Sequence, residues 1–357
     1  MGVAERPYEI DVFPAMSLRS TVARLAEEKG LVIVGPEALT LQRQRCGKGF
    51  AFVTPSGAFV RDPAEIRRLK ALAVPPAYVK VRFASDPTAH LQAVGEDAAG
   101  RLQYRYHPKW AEVREALKAR RLAGLARSLP AIRRAVGRYL AMDEIDRRFV
   151  AASVVELVSL AAIRAGGEEY ARVHGTRGAT TLLKSNIRLA GKGVVTLSFK
   201  AKGGKVVTKH VLSPRLHAAM ARLMELPGRR LFQYREADTV RPVRAAEVNA
   251  FLQEVAGRRI SLKDFRTLVA SAAALKALAA TEPAGSERQR RRQVRKAVTE
   301  IAEELANTPT VCRTSYVHDA VIAAFEAGAL KRPRLRKARS PTSQAELLAR
   351  IVARHAG

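Results

Sequence analysis

The sequence predicts an α+β chain, with a small N-terminal domain built on an antiparallel sheet and a larger, mostly helical C-terminal domain. Three observations carry this. Up to about residue 106, apolar residues fall in short alternating runs divided by Gly, Pro and Ser turns. From Pro108 onward the apolar spacing lengthens to that of helices. Within that helical part, Val194–Phe199 and Val206–Val211 revert to strand character around a glycine pair, Gly203-Gly204. The 357 residues accommodate two domains. The boundaries predicted are 1–110 for the sheet domain, 111–330 for the helical domain, and 331–357 for a basic tail with a short helix.

Taken in order, Leu18 to Lys29 has a short helical pattern ended by Gly30. Gly49-Phe-Ala-Phe-Val and Ala58-Phe-Val flank the turn-forming Thr54-Pro-Ser-Gly. Pro63 opens a helix through Leu72, Pro75-Pro76 breaks it, and Tyr78–Phe83 alternates as a strand. His90–Val94 and Arg101–Tyr106 read as a hairpin across the polar, Gly-bounded segment 95–100. Helical patterns then cover roughly 110–128, 130–141, 143–165, 214–226, 245–258, 264–280, 285–306 and 309–327. The basic run Lys331–Arg339 leads to a terminal helix at about 343–354. Arg288–Lys296 and this run read as general electrostatic surface.

A net charge of +30, spread along the whole chain, points to a polyanionic partner, nucleic acid before membrane. Two distant cysteines, Cys46 and Cys312, offer neither a disulfide framework nor a Cys-based zinc site, and suit a reducing cytoplasm. No secretory signal pattern is read at the N-terminus, and the most apolar run, 149–163, is too short to span a bilayer. The P-loop, His-Glu-x-x-His, Cys-x-x-Cys and Gly-x-Ser-x-Gly patterns are all lacking, so ATP hydrolysis, zinc chemistry and serine hydrolysis find no support.

What remains is a set of cations and a phenol. Cutting a phosphodiester without a metal needs a nucleophile, positive charge for the non-bridging oxygens, and a proton for the leaving alkoxide. Tyrosine, with a pKa of ~10, is ionised to only about one part in a thousand at neutral pH, so activation must offset roughly 4 kcal/mol. Arginine is always charged and forks onto phosphate oxygens, whereas lysine is the better proton donor. Tyr316 lies at the edge of the apolar stripe of 309–327, where its ring can lean on the core with its hydroxyl facing out.

Four words in order, Ile163-Arg-Ala-Gly-Gly-Glu-Glu-Tyr, Phe199-Lys-Ala-Lys-Gly-Gly-Lys, Lys263-Asp-Phe-Arg-Thr and Asn307-Thr-Pro-Thr-Val-Cys-Arg-Thr-Ser-Tyr, resemble the active-site blocks of type IB DNA topoisomerases. The likeness is to the compact bacterial and poxvirus-like branch. Val74-Pro-Pro-Ala-Tyr, His90-Leu-Gln-Ala-Val-Gly and Gly100–Trp110 are similar to the N-terminal domain of that branch, so the resemblance runs from about residue 40 to 327. It implies that Tyr316 is the nucleophile of a 3′-phosphotyrosyl bond, that Arg164 and Arg266 clamp the scissile phosphate, and that Lys202 is the general acid. Asn307 falls where viral and eukaryotic relatives have histidine, and an amide donates a hydrogen bond but no charge. The resemblance further implies contact with DNA by Arg101, Gln103, Tyr104, Tyr106 and Tyr170. The implied protein is a monomer that closes as a clamp on double-stranded DNA, needing no ATP, metal or other cofactor. Departures from the pattern are Leu268-Val269-Ala270 after Lys-Asp-Phe-Arg-Thr, and Tyr78 in place of a tryptophan.

Taken singly, each residue has a plainer role open to it. Asn307 can end a helix in the left-handed conformation, Arg164 can pair with Glu168 or Glu169, and Arg266 can pair with Asp264 or cap its helix. Lys200 or Lys205 can stand in for Lys202, and Tyr104 and Tyr106 can pack under the sheet. Two other functions fit part of the pattern. A tyrosine recombinase shares the catalytic groups but carries His-x-x-Arg at the second arginine and a helical N-terminal domain. A non-catalytic basic DNA-binding protein needs only the charge.

Overall fold

The computed structural model describes residues 16–330 and 341–355; the predicted run Lys331–Arg339 lies outside them. The chain divides into two compact units, one ending at Leu117 and the next beginning at Lys118. Among the described residues, no helix is long and apolar enough to cross a membrane.

The first unit holds α1 (Met16–Glu27), β1 (Leu41–Cys46), β2 (Gly49–Val53), α2 (Pro63–Ala71), β3 (Val79–Phe83), β4 (Leu91–Glu96) and β5 (Leu102–Tyr106). Its strands form one antiparallel sheet in the order β2-β1-β3-β4-β5. The hairpin expected across Thr54–Gly57 is only a single bridge, Val53 to Phe59. β2 pairs instead with β1, turning at Gly47, which has φ +54. β1 escaped the sequence reading because Gln42-Arg43-Gln44-Arg45 lacks an apolar alternation. Its place is secured by pairing on both sides and by Arg43, whose guanidinium donates to the carbonyls of Val74, Pro75 and Tyr78. Phe52, Leu69, Val81, Phe83 and Ala93 fill the space between sheet and α2. Asp62 caps α2, accepting from the Ala64 amide at 2.9 Å.

α3 (Trp110–Leu140) crosses the unit boundary as one continuous helix, although two helices broken at Pro130 were expected. Leu122, Leu125, Leu129, Ile132 and Val136 are all buried along it, and that burial outweighs the roughly 3 kcal/mol an internal proline costs. The second unit continues with α4 (Arg147–Ala161), α5 (Glu168–His174), β6 (Ile187–Ala190), β7 (Val194–Lys200), β8 (Val206–Leu212), α6 (Pro214–Glu225), β9 (Gln233–Glu236), β10 (Thr239–Pro242), α7 (Ala245–Ala256), α8 (Leu262–Ala279), α9 (Glu287–Glu304), α10 (Pro309–Ser315), α11 (Asp319–Glu326) and α12 (Pro341–His355). β7 and β8 form the expected glycine-tipped hairpin, and β6 adds a third strand.

The core of this unit is built on α4, buried on nearly every face from Phe149 to Val158, and on α8 beside it. Glu156, inside this apolar helix, is held by Arg215 in a two-point ion pair and by the Ser213 hydroxyl. The terminal helix α12 is no loose appendage: Ala345, Leu348 and Val352 are buried in the same core, against α8 and α11.

Candidate active site

Three chain breaks, each at a helix end, bring the site together. α4 stops at Ala161, and Ala162 adopts the left-handed conformation at φ +52. Arg164 therefore lies in the segment after α4, not within a helix extending to 165 as expected. Its backbone is locked by a close crossing: the Arg164 carbonyl accepts from the Ala179 amide at 2.8 Å, and a Cβ on Gly178 would come within 2.6 Å of Gly166 backbone. Gly166 itself has φ +92, which favours glycine. α9 ends at Glu304, and here the left-handed residue is Ala306 at φ +50, so Asn307 is not the left-handed terminator. α10 ends at Ser315, with Tyr316 as its C-cap, and the helix predicted over 309–327 is in fact two.

The break at Tyr316 has identifiable causes. Ser271 on α8, fully buried, donates from its hydroxyl to the Tyr316 carbonyl and accepts from the His318 amide, both at 3.0 Å. His318 then caps α11, its Nδ1 accepting from the Ala320 amide at 3.1 Å. Lys118 Nζ lies 3.4 Å from the Thr314 carbonyl and 3.2 Å from that of Val317. Tyr316 is thus turned inward, 8 % exposed, in place of the outward hydroxyl expected from helical phase.

Arg266, 3 % exposed, stands over the Tyr316 ring with Cζ 4.8 Å from its centroid. Its Nη1 donates to the Ala162 carbonyl and its Nη2 to the Leu305 carbonyl at 3.0 Å. Asp264 is no partner of Arg266; it accepts from the Ser261 amide and hydroxyl at 2.8 and 2.9 Å, capping α8. Arg164 donates to the Ala306 carbonyl at 3.5 Å and to Asn307 Oδ1. Glu168 is taken by Arg230, so the ion pair considered for Arg164 does not form with it. Buried Arg266 Nε and Asn307 Nδ2 have no acceptor among the described residues. Such donors are costly unless something meets them, and an anionic oxygen does so well.

Burial alone pushes the Tyr316 phenol up, but the charges around it, Arg266 first, then Arg164 and Lys263, together outweigh it. The phenol therefore lies below its ordinary value. Burial lowers Arg266 in turn, with Tyr316 opposing and Arg164 assisting. The nearby Cys312 thiol is pushed up to about 11, chiefly by burial and against the pull of Arg266, so it stays protonated and inert.

Tyr316, Arg266, Arg164 and Asn307 thus form one group. Lys202 belongs to another, at the exposed tip of the β7–β8 hairpin, where Gly203 and Gly204 have φ +83 and +80. Its Nζ lies 5.6 Å from the centroid of the Tyr170 ring, which in turn meets the His174 ring at 4.4 Å. A small cavity lined by Arg164, Arg266, Arg177, Lys209, Phe199 and Ala201 links the arginines to the hairpin base. Arg177, Lys209 and Ser271 were not singled out in the sequence, and Lys263 was named only as the first residue of its word, although Lys209 had a signal: it shares the inward phase of β8 with Val207 and Val211.

In the first unit, Arg101 and Gln103 are both tied to Asp97, by an ion pair and a hydrogen bond each 2.9 Å long. Tyr104 stacks on Tyr106, and Tyr106 on Trp110, with centroids 6.4 and 6.2 Å apart. Both tyrosines are half-buried, with one side against the apolar clusters beneath the sheet.

Residues 108–339 match the family described as "Eukaryotic DNA topoisomerase I, catalytic core", and residues 49–97 match "Bacterial DNA topoisomerase IB, N-terminal domain". A similar protein is "DNA topoisomerase 1B" of Acanthamoeba polyphaga mimivirus, 29 % identical over 285 residues, which cover 78 % of this chain and 84 % of the relative. The catalytic-core match takes in Arg164, Lys202, Arg266, Asn307 and Tyr316 together and covers more than half of the chain, which therefore belongs to the type IB DNA topoisomerases.

Proposed function

We propose that the chain relaxes supercoiled duplex DNA by transesterification on Tyr316, with a 3′-phosphotyrosyl intermediate and subsequent religation. The observation that carries this reading is the phenol held under Arg266 and beside Arg164, with two buried donors, Arg266 Nε and Asn307 Nδ2, lacking acceptors among the described residues. In cleavage the Tyr316 oxygen, its proton released to water, bonds to phosphorus as the bond to the 5′ oxygen breaks. Arg164, Arg266 and the Asn307 amide donate to the non-bridging oxygens, where charge builds up in the transition state. Lys202 gives its proton to the departing 5′ oxygen and recovers one on religation.

Because the phosphotyrosyl bond conserves the phosphodiester energy, the cycle needs neither ATP nor a metal. Arg101, Gln103, Tyr104, Tyr106 and Tyr170 are read as DNA contacts, Gln103 toward a base edge and the tyrosines toward phosphates. The charge of +30, spread along the whole chain, supports a protein that closes on duplex DNA as a clamp, and we take it to act as a monomer. Two free cysteines suit a cytoplasmic, nucleoid-associated protein.

The test is relaxation of a plasmid lacking any special site, in EDTA and without ATP, followed by denaturant trapping and mapping of the DNA end that carries protein. Attachment at a 3′ end is expected, and Tyr316→Phe should bind DNA but form no adduct. Attachment at a 5′ end, or an adduct formed by the Phe variant, overturns the assignment.

A further inference from the structure

Glu304, the last residue of α9, and the three residues after it present four successive oxygens to three cations from three different elements. The Glu304 carbonyl accepts from Lys209 Nζ on β8 at 2.5 Å, and the Leu305 carbonyl from Arg266 Nη2 on α8 at 3.0 Å. The Ala306 carbonyl and Asn307 Oδ1 accept from Arg164, which follows α4. Carbonyls at a helix C-terminus carry partial negative charge and lack intrahelical donors, so this is where cations are best held. The left-handed turn at Ala306 fans the carbonyls toward different partners.

We propose that Lys209 is a positioning residue of the cleavage site: by holding the Glu304 carbonyl it fixes the turn on which Arg266 and Arg164 are seated. The inference rests on the topoisomerase reading of those arginines. A lysine here needs a reason. It occupies the inward phase of β8 between Val207 and Val211 and lines a cavity that it shares with Arg164, Arg177 and Arg266. Like charges at such range repel, and apolar residues fill the same strand phase on either side. Burial, and then the Arg266 charge, lower the Lys209 pKa, while the Glu304 carboxylate raises it. The hydrogen bond to Glu304 is what the strand gains in return. Lys209 also ties the base of the hairpin that carries Lys202 to the turn that carries Asn307, so the two groups of the site share one anchor.

Without that bond the α9 end frays, and the two arginines rest on a turn with more than one arrangement. The transition state, which needs both guanidiniums in register, should suffer more than the binding of DNA, to which many distributed cations contribute. The experiment compares full-length wild type, Lys209→Met and Lys209→Arg, measuring single-turnover strand cleavage at saturating duplex, duplex affinity and thermal midpoint. Lys209→Met is expected to cleave about 10- to 100-fold more slowly with affinity within about twofold, the range of a lost charged hydrogen bond. Lys209→Arg, which keeps a charged donor, should recover most of that loss. If Lys209→Met does not fold, Lys209→Gln replaces it, with the same expectation of slow cleavage and retained affinity. Cleavage within about twofold of wild type in the neutral variant overturns the inference while leaving the Tyr316 reading intact; equal impairment of the neutral and Arg variants does so too. A wild-type protein that never attaches to DNA overturns both.

Discussion

The arginine group and the hairpin tip are built on opposite principles. Arg266 is 3 % exposed, and both its Nη atoms are committed to backbone carbonyls before any DNA arrives. Lys202 stands in solvent on a turn made by two glycines in a conformation that side chains resist, with an aromatic ring for its neighbour. The difference follows from the work each would do. Stabilising charge on phosphorus is strongest when donors are fixed in advance and water is excluded, so rigidity and burial serve the arginines. A proton donor to a departing oxygen must approach a group that moves, and burying an ammonium beside two guanidiniums would push it toward its neutral form.

This contrast can be broken most directly at Arg266. Arg266→Ala should lower the single-turnover cleavage rate by about 10³-fold or more, since it removes a preorganised donor and also the main group favouring the Tyr316 phenolate. Arg266→Lys should recover little, because an ammonium lacks the planar fork that spans the Ala162 and Leu305 carbonyls while leaving Nε for a phosphate oxygen. A lysine variant within tenfold of wild type would show that charge alone suffices and that the two-carbonyl seat is incidental.

At the hairpin, Lys202→Ala should cost about 10²- to 10³-fold, the range of a lost general acid. The loss should shrink sharply with a substrate whose bridging 5′ oxygen is replaced by sulfur, a leaving group that departs without a proton. An equal loss on both substrates would move Lys202 from proton transfer to phosphate binding, and so erase the difference between the two groups.

The smallest effect is expected at Lys263, whose charge is the last of those that lower the Tyr316 phenol. A depressed phenol pKa means that cleavage rises with pH and levels off below the ordinary tyrosine value. Lys263→Ala removes one depressing charge, so the rise should shift to higher pH, with a loss of a few-fold near pH 7 that closes at alkaline pH. A uniform loss at every pH would place Lys263 on the DNA and not in the electrostatics of the phenol.

Much of this molecule was readable from local patterns. The change from strand to helical period near Pro108, the β4–β5 and β7–β8 hairpins and the stops near Gly257 and Asn307 depend on neighbouring residues only. Elements went unread where local signals were silent or were overridden. β1 has polar residues on both faces and exists because β2 and β3 flank it. Pro130 is tolerated because leucines and isoleucine on its helix are buried. Tyr316 leaves the helical phase because a serine 45 positions earlier takes its carbonyl.

The site divides in the same way. The four words around Arg164, Lys202, Arg266 and Tyr316 were legible in the sequence through their resemblance to the active-site blocks of type IB topoisomerases, since among 63 lysines and arginines residue type alone singles out none. Which carbonyl each guanidinium meets, why the phenol is lowered despite burial, and that an inward lysine on β8 holds the end of α9 could only be decided by the folded chain. Residues 164, 209, 266, 307 and 316 become neighbours through the packing of helix ends, and both electrostatic energy and hydrogen bonding depend on distance in space, not on separation along the sequence.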